Sequence, residues 1–445
     1  MMNLTRFSLM AAMVLGPWVW ESRAGLAWEP VGLDLTPMLG EVTHERASVW
    51  ARAAGEGEVY FSVYEMTAEG EPVYGMKVEG KVVAGAANDL CVRIDVRGLE
   101  PATEYGYEIF ADAARTQPVD GGFFFTLPDP AKPSVVRMAI GSCANYDLKK
   151  GPPPEGDVWS AIGAEEPTVL ALIGDTPYID STELKVQREK YRMFFEPGSM
   201  RGLRRNVALM AVWDDHDFGK NDTDGRLKGK ENARQAFIEY HAQSEYGDGA
   251  EGIYSRQRVG GMDVFAIDAR WFSNRDEKKL LGEKQWQWLE KGLKESDAPF
   301  KVLMTGMIWN EAVRPLKTDY WAFYAQERKR LFAFIQKEDI HGVVLVGGDI
   351  HRSRHLKHPS SATGVGYPLH EIITSPLGPN VHANAKVDHP ALMWDAGEPF
   401  AFCVIEADTN VHESHPEPTL RVMWKNVKGT VMNEVMMKES ELRSR

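Results

Sequence analysis

A short apolar strand that ends in a dense group of acidic residues is the feature that most constrains the fold of this chain. The run VALMAV at 207–212 has the length and apolar character of a buried strand, and WDDHDFGKNDTD follows it directly. Open α/β sheets place their ligands at the carboxyl ends of such strands. The alternative is a solvated acidic turn, because Asp and Asn are common turn residues. The rest of the sequence decides between these two interpretations.

The chain after about residue 130 has the pattern of alternating strands and helices. Prolines at 128, 130 and 133 mark a boundary with the segment before it. Apolar runs and helical spacing predict strands near 135–140, 168–173, 262–267, 302–305, 343–346 and 371–374, and helices near 158–164, 184–195, 231–241, 284–293 and 325–336. Two more strands are predicted at 400–407 and 419–425. This alternation indicates an α/β domain at 131–430, followed by a C-terminal tail at 431–445.

Residues 28–130 have a different pattern. Short alternating segments such as ASVWAR, EVYFSVYEM and EYGYEIFAD are separated by Gly, Asn and Pro turns. They predict a β-sandwich, and LEPATEY at 99–105 resembles the corner of fibronectin type III modules, where a buried tyrosine packs beside a tight turn. Because no catalytic cluster lies in this domain, we expect it to support or shield a site.

The first 27 residues resemble an export signal peptide. Arg6 supplies a positive flank, an apolar run extends from Phe7 to Trp20, and GLA at 25–27 fits a cleavage site. The alternative is an uncleaved membrane anchor, but Pro17 and the short run fit a membrane span poorly. We therefore expect an exported protein, periplasmic or extracellular, with no integral membrane span after cleavage.

The charge and the cysteine content narrow the classes of partner. A formal net charge of -13 argues against a stable nucleic-acid complex, although it allows a small phosphate-bearing substrate held by metals. The three cysteines form no disulfide framework, since at least one of them is unpaired. Cys91 and Cys403 lie in strand-like segments and are expected to be small buried hydrophobes, whereas Cys143 follows a strand end.

Metal-binding residue types recur where the predicted strands end. Five strands show this: they end in Cys143, in Asp175 with Tyr178, in Asp214 to Asp217, in Asp268 with Arg270, and in Asp349 with His351. We expect these ends to converge on one edge of a sheet, because a random scatter of 64 carboxylates would not follow strand ends. Two hard cations held by such donors form a clamp for phosphoryl transfer. The pattern therefore favours a metal site over a solvated turn.

Four motifs in order carry a resemblance to a known family. GSC at 141–143, GDTPY at 174–178, WDDHDFGKND at 213–222 and GGDIH at 347–351 together resemble the alkaline phosphatase D (PhoD-like) family of the calcineurin-like metallophosphoesterases. The resemblance covers about residues 28 to 425. It implies an α/β fold, the four-layer α+β metallophosphatase sandwich, with an N-terminal fibronectin-III-like β-sandwich domain.

The resemblance implies that one metal is iron. Asp175 would bridge two metals, and Tyr178 would bind Fe³⁺ as a phenolate, which would give a charge-transfer colour. Cys143 stands where the wider superfamily has an aspartate, and it would bind the iron as a thiolate. His351 would also bind this first metal.

The resemblance implies Ca²⁺ as the second metal. Asp215 and Asp349 would bind it, and His216 would act near the leaving oxygen. The superfamily commonly has a further histidine ligand between residues 302 and 310, but VLMTGMIWN has none. The second site is therefore expected to be rich in oxygen, which suits Ca²⁺.

Other residues near the motifs are ambiguous. Arg270 and Asn221 are phosphate contacts by resemblance, yet either fits an ordinary surface or turn position. Six histidines are expected to lie on the surface or in loops, with His355 as the main exception to test: His241, His355, His358, His370, His382 and His389.

These features predict an exported metal-dependent phosphoesterase that hydrolyses phosphate diesters, monoesters or both by a metal-activated hydroxide. Its partner would be a small-molecule or polymeric phosphoester, and phospholipase D-like activity is one of the alternatives. The competing hypothesis is a non-catalytic cell-surface binding protein whose metallophosphatase domain is structural. The complete ligand set argues against that hypothesis.

Overall fold

The N-terminal part of the chain forms an antiparallel β-sandwich. The structure is a computed structural model and describes residues 29–145 and 157–444. One sheet has the order β1-β2-β5 and the other β4-β3-β6-β7. The strands are β1 (Leu33–Val42), β2 (Arg46–Ala53), β3 (Gly57–Met66), β4 (Pro72–Ala84), β5 (Cys91–Arg97), β6 (Glu104–Phe110) and β7 (Pro118–Phe125).

The expected tyrosine corner is present in this sandwich. Tyr105 is buried, and its hydroxyl accepts a hydrogen bond of 2.9 Å from the backbone N–H of Glu100. The alternating segments that predict strands here, ASVWAR, EVYFSVYEM, CVRIDVRGL, EYGYEIFAD and GFFFTL, include none in β1 or β4, and in β1 Pro37 and Gly40 interrupt the alternation. Gly40 serves the contact with the second domain: a Cβ there would lie 2.1 Å from the carbonyl oxygen of Ala242.

The second domain contains two mixed sheets. The first has the order β10-β9-β8-β18-β19-β20, in which β8, β9 and β10 are parallel and the other pairs are antiparallel. Its strands are β8 (Val135–Gly141), β9 (Val169–Ile173), β10 (Ala208–Val212), β18 (Phe402–Asp408), β19 (Thr419–Lys425) and β20 (Val431–Lys438). The segment expected as a C-terminal tail therefore supplies an edge strand, β20, paired with β19.

The second sheet of this domain has the order β11-β12-β13-β14-β16-β15-β17. Strands β12, β13, β14 and β16 are parallel. The strands are β11 (Ser255–Val259), β12 (Met262–Ala266), β13 (Phe300–Met304), β14 (Val343–Gly347), β15 (Ser353–His358), β16 (Leu369–Ile373) and β17 (Leu392–Ala396).

Helices connect the parallel strands, as the alternation predicted. The α-helices are α1 (Val158–Gly163), α2 (Leu184–Phe195), α3 (Gly198–Arg204), α4 (Asp215–Phe218), α5 (Lys230–Tyr240), α6 (Gly282–Glu295), α7 (Ala325–Lys337) and α8 (Ser360–Thr363), and short 3-10 turns lie at Ala86–Asn88, Trp321–Tyr324, Ala383–Ala385 and Glu439–Leu442. The apolar spacing in α6 is confirmed as core, since Trp286, Leu289 and Leu293 are buried. None of the described helices has the length and apolar character needed to cross a bilayer.

The ligand-bearing strand ends belong to two sheets, which corrects the expectation of one sheet edge. Strands β8, β9 and β10 lie in the first sheet, whereas β12 and β14 lie in the second. The two edges adjoin each other: the hydroxyl of Ser142, just after β8, donates to the carbonyl oxygen of Thr374, just after β16, at 2.7 Å. The carboxyl ends of both sets of parallel strands therefore face one shared region.

Buried polar contacts join the sandwich to the second domain. Arg204 in α3 is 1% exposed and donates to the carbonyl oxygens of Thr36, Pro37 and Phe195 at 2.6, 3.0 and 3.1 Å. Trp50 donates its indole N–H to the carbonyl oxygen of Glu239 at 2.7 Å. Arg204 and Trp50 therefore both find backbone carbonyl acceptors within the protein.

Candidate metal centre

Asp214 lies where three loops from the two sheets meet. Gly174 follows β9 and Gly306 follows β13, and a Cβ on either glycine would lie 2.4 Å from Asp214 Cβ. Real Cβ atoms do not approach each other so closely, so both positions require glycine. The tight approach brings the loop after β10 against the loops after β9 and β13.

One group of possible metal ligands combines a thiol, a carboxylate and an imidazole. Cys143, Asp175 and His351 each offer an atom within 4.8 Å of the others, and all three residues are buried. All three also have positive φ angles, of 56°, 55° and 52°. Residues other than glycine rarely adopt this conformation, which costs on the order of 1–3 kcal/mol each. Strain of this kind clusters at functional sites, and here it turns three ligand-type side chains toward one point.

The protein groups alone disfavour the anionic forms of the thiol and the carboxylate. Burial, with the neighbouring carboxylate of Asp175, raises the pKa of the Cys143 thiol well above its usual value. Burial, with the carboxylate of Asp215, likewise raises the pKa of Asp175. A cation between these groups would reverse both shifts, because metals bind the deprotonated forms.

The imidazole of His351 is oriented for ligation. Its Nδ1 lies 2.7 Å from the carbonyl oxygen of Asn380, which can only accept a hydrogen bond, so Nδ1 carries the proton. The other nitrogen, Nε2, is then an acceptor, and the hydroxyl of Tyr178 lies 2.8 Å from it. Burial lowers the pKa of His351 to about 4, which keeps the ring neutral as metal binding requires. Tyr178 therefore lies at the first ligand group beside His351.

A second group consists of carboxylates only. Asp214, Asp215 and Asp349 are buried, and each offers an oxygen within 4.8 Å of the others. In each side chain the protein holds one oxygen: Arg270 Nε donates to Asp214 at 2.6 Å, the N–H of Asp222 to Asp215 at 2.5 Å, and Lys317 to Asp349 at 3.0 Å. The second oxygens of Asp214 and Asp215 are buried and have no hydrogen-bond partner among the described residues, and that of Asp349 has only the Lys317 ammonium near it, at 3.0 Å. Unsatisfied buried carboxylate oxygens are costly, so this group fits a cation.

The two groups adjoin each other through Asp175 and Asp215. These carboxylates and His216 form a further set with atoms within 4.8 Å. Burial raises the pKa of Asp349 to about 6 despite the nearby Lys317. Burial would also raise the pKa of Asp215. The positive charges of Arg270 and His216 outweigh burial there, so the pKa of Asp215 is lowered.

His216 lies at the side of the site that is open to solvent. Its side chain is 17% exposed, and its Nδ1 lies 2.6 Å from a carboxylate oxygen of Asp180. The Asp180 carboxylate fixes the proton on Nδ1 and leaves Nε2 for a substrate. Burial opposes the charged form, but the Asp180 hydrogen bond and the Asp175 and Asp215 charges outweigh it and raise the pKa of His216 to about 9. The hydrogen bond to Asp180 therefore favours the protonated ring that a general acid needs.

The structure gives Arg270 a different environment from the predicted phosphate contact. Its guanidinium is 1% exposed, donates to both oxygens of Asp319 at 2.9 and 2.7 Å, and also contacts Asp214 and the carbonyl oxygen of Thr223. A phosphate could gain a bond to this side chain only if one of these bonds broke. The contacts instead orient Asp214 through its first oxygen.

The structure separates two more of the predicted residues from the ligand groups. Asp268 accepts hydrogen bonds from the indole of Trp213 at 2.7 Å and from the N–H of Ile253 at 3.0 Å, so it fixes loops behind the site. Asn221 is exposed, next to Asp222. Its predicted contact with phosphate remains a prediction.

Two buried residues of the site had no signal in the sequence. Lys317 and Asp319 lie in the irregular segment between β13 and α7, and Asp215, Asp222 and Asp319 form a further acidic group within 4.8 Å. A lone Lys and a lone Asp in a loop have no periodicity to mark them as buried. Only the observation that both are at most 8% exposed identifies them.

Two family profiles match this chain. The PhoD-like phosphatase profile matches residues 138–397, and the profile of the PhoD-like phosphatase N-terminal domain matches residues 28–128. The first match covers more than half of the chain and includes every ligand-type residue of the two groups. The chain belongs to the PhoD-like phosphatase family.

Individual PhoD-like relatives agree with this assignment. Alkaline phosphatase D of Bacillus subtilis (strain 168) is 25% identical over 316 residues, and the alignment spans 59% of this chain and about half (53%) of that protein. A solved structure of PhoD is 17% identical, has a TM-score of 0.72, and is matched over 93% of this chain and 90% of that one.

A purple acid phosphatase from yellow lupin (Lupinus luteus) seeds has the same fold. It is 14% identical, with a TM-score of 0.67, and the match covers 91% of this chain and 75% of that one. Both structural likenesses show the fold, which is α/β with an N-terminal β-sandwich.

PhoD-like membership and the geometry together imply metal cofactors. The thiol-containing group offers sulfur, nitrogen and oxygen donors, which suit a transition metal. The second group offers oxygens only, which suit a hard cation. Five of the six predicted ligands lie in these two groups: Cys143, Asp175, Asp215, Asp349 and His351. The sixth, Tyr178, lies beside the first group with its hydroxyl 2.8 Å from His351 Nε2, and its ligation remains a prediction. The structure adds Asp214 to the second group.

Proposed function

We propose that this protein is a metal-dependent phosphoesterase that hydrolyses phosphate monoesters, diesters or both. The observation that supports this most is the pair of adjoining ligand groups that the loops of two sheets bring together. Membership of the PhoD-like phosphatase family agrees with it. We further propose iron for the group of Cys143, Asp175 and His351, and Ca²⁺ for the group of Asp214, Asp215 and Asp349, because their donor chemistries differ in that way.

The residues of this chain divide the work between binding, orientation and proton transfer. Two cations held here would activate water and neutralise the charge that develops on the phosphoryl oxygens. Arg270 holds Asp214, and the carbonyl oxygen of Asn380 holds the ring of His351, so two of the ligands are oriented before a cation binds. In the protonated ring, Nδ1–H donates to Asp180, so Nε2–H is the proton that His216 would give to the leaving oxygen.

We also propose that the protein is exported. The proposal rests on the charged flank, the apolar run and the cleavage pattern within the first 27 residues. These residues lie outside those that the structure describes. A comparison of the mature N-terminus with the encoded one would test the proposal, and retention of all 27 residues on a protein in the cytoplasm would contradict it.

The experiment that tests the enzymatic function combines metal loading with one substitution. Protein loaded with Fe³⁺ and Ca²⁺ should release nitrophenol from bis(4-nitrophenyl) phosphate, and Asp175→Asn should lower the rate about 10²-fold while the thermal unfolding stays cooperative. Asp263→Asn is the matched control, because Asp263 is also a buried aspartate but pairs with Arg256 at the other end of β12. It should retain the rate of the parent protein.

Two results would reject the enzyme and favour the non-catalytic binding protein. One is the absence of bound metal together with no hydrolysis in added Fe³⁺ and Ca²⁺. The other is full hydrolysis by the folded Asp175→Asn protein, which would place the chemistry elsewhere in the chain. A screen of monoesters and diesters on the same preparation would then define the substrate class.

A further inference from the structure

A buried lysine lies at the oxygen-only ligand group. The Lys317 side chain is 3% exposed, and its Nζ lies 3.0 Å from Asp222 Oδ1 and 3.0 Å from each carboxylate oxygen of Asp349. Lysine is almost never buried unless it is paired, so these two carboxylates are the reason that it can lie there. Lys317 is therefore a cation supplied by the chain itself.

Lys317 contacts both oxygens of a carboxylate that is also a candidate metal ligand. Asp349 Oδ1 accepts its hydrogen bond, and Oδ2 lies 3.0 Å from the same Nζ. The unpartnered oxygens of Asp214 and Asp215 belong to the same ligand group as Asp349. A hard cation bound to these oxygens at about 2.3–2.6 Å would lie close to the ammonium of Lys317.

The loop that carries Lys317 is held in place on both sides. Before it, Leu316 is fully exposed (100%) and has a φ of 70°, and the N–H of Lys317 donates to the carbonyl oxygen of Arg314 in a turn. After it, Asp319 is fixed by both terminal nitrogens of Arg270. A leucine in this backbone region is strained, and the turn directs the next side chain into the site. The ammonium is therefore positioned by the fold.

We propose that Lys317 competes with the second metal ion for Asp349 and thereby sets the affinity of the oxygen-only group for a hard divalent cation. This inference rests on the proposed function, since it concerns the second of the two metals. A bound dication and the ammonium repel each other, and both need the same carboxylate. Removal of the ammonium should therefore tighten the second site and leave the group of Cys143, Asp175 and His351 unchanged.

The test is a calorimetric titration of Ca²⁺ into protein that retains its iron after treatment with a calcium chelator. Lys317→Met keeps most of the side-chain volume and removes the charge, so its Kd for Ca²⁺ should fall about tenfold or more, as expected from repulsion between charges a few ångströms apart. Lys317→Arg keeps the charge and should stay near the parent Kd. Elemental analysis should find the same iron content in all three proteins.

A second buried lysine provides the matched control. Lys301 is 7% exposed, but its ammonium donates to the carbonyl oxygen of Ala298 and has no contact with the ligand groups. Lys301→Met should leave the Kd for Ca²⁺ unchanged. Thermal unfolding of each variant, with and without Ca²⁺, gives a readout that does not depend on hydrolysis: Ca²⁺ should raise the Tm of Lys317→Met more than that of the parent protein.

Several results would overturn the inference. An unchanged or weaker Ca²⁺ affinity in Lys317→Met would show that the lysine does not compete with the cation. A raised KM for bis(4-nitrophenyl) phosphate with unchanged Ca²⁺ affinity would place Lys317 on the substrate instead. If the parent protein and Lys317→Met both failed to bind Ca²⁺ and to hydrolyse the substrate, the proposed function would fail as well. Equal Ca²⁺ binding with normal hydrolysis in both proteins would reject only this inference.

Discussion

The contact between the two domains and the metal centre bury polar groups in opposite ways. At the domain contact, the guanidinium of Arg204 is satisfied by carbonyl oxygens of Thr36, Pro37 and Phe195. At the metal centre, the carboxylates of Asp214 and Asp215 each keep a buried oxygen without a hydrogen-bond partner among the described residues. The buried guanidinium at the domain contact has protein hydrogen-bond partners. The buried carboxylate oxygens at the metal centre require a bound cation.

The contrast is specific to carboxylates. Several hydroxyl, amide and ring atoms are also buried without a hydrogen-bond partner, but the carboxylate oxygens of this kind among residues 29–145 and 157–444 all come from Asp214, Asp215 and Asp349. Burial of an unpaired carboxylate costs far more than burial of a hydroxyl. An evenly distributed set would indicate loose packing, whereas the unpaired oxygens of Asp214 and Asp215 lie in one group with an Asp349 oxygen that only Lys317 contacts, which indicates a cation site.

The largest expected effect at the metal centre comes from its proton donor. His216→Gln should lower hydrolysis of a phosphodiester with an alkyl leaving group by about 10²–10³-fold, because an alkoxide needs a proton as it leaves. Hydrolysis of a nitrophenyl ester should fall much less, because nitrophenolate leaves without one. Steady-state rates on the two esters measure the ratio.

A second histidine substitution serves as the matched control for the rates on the two esters. His412 is an exposed histidine in a surface turn, and His412→Gln should change neither rate. Equal losses on both esters in His216→Gln would remove His216 from the proton-transfer step and leave it a role in positioning only.

The domain contact should respond in stability rather than in chemistry. Arg204→Met leaves three buried carbonyl oxygens without their donor, so the free energy of unfolding should fall by about 3 kcal/mol in denaturant titrations. Iron and Ca²⁺ content of the folded protein should be unchanged. A loss of bound metal at unchanged stability would contradict this expectation, because it would show that the domain contact controls metal binding rather than stability.

A smaller effect is expected at His241, a neutral group buried beside the domain contact. Its Nδ1 lies 2.8 Å from the carbonyl oxygen of Phe237, and burial lowers its pKa to about 4. Below its unfolded pKa of about 6.5 the unfolded chain binds a proton that the folded protein excludes, so stability is complete above that pH and is lost as the pH falls toward 4.

His241→Gln should remove this pH dependence. The decrease in the free energy of unfolding between pH 7 and pH 4.5 should be about 2 kcal/mol smaller in the variant than in the parent protein. Denaturant titrations at the two pH values measure the difference. Equal decreases in both proteins would mean that His241 takes up its proton in the folded state.

The sequence predicted the parts of the site that follow strands. Cys143, Asp175, Asp215 and Asp349 each follow a short apolar run, and period and length identify such runs as buried strands. It could not assign these strands to two sheets, because sheet membership depends on non-local pairing. The predicted helices from residue 184 onward also agree with the structure, because the spacing of their apolar residues is a local property of the sequence.

The predictions of exposure were wrong for polar residues whose burial depends on tertiary contacts. His241, His355 and His370 were expected on the surface or in loops but are at most 6% exposed, and the rings of His355 and His370 stack with a nitrogen–nitrogen distance of 2.9 Å. Lys317 is buried for the same kind of reason, through Asp222 and Asp349. No local pattern marks a polar side chain whose partner lies far away in the chain.

Anomalous scattering from crystals of the protein loaded with Fe³⁺ and Ca²⁺ would show directly whether the two ligand groups bind cations. We expect an iron peak among Cys143, Asp175 and His351, and a second cation among the carboxylates of Asp214, Asp215 and Asp349. The domain contact should hold no ion. Crystals of folded protein with no density in the carboxylate group, even at saturating Ca²⁺, would contradict the claim that its unpartnered oxygens exist to bind a cation.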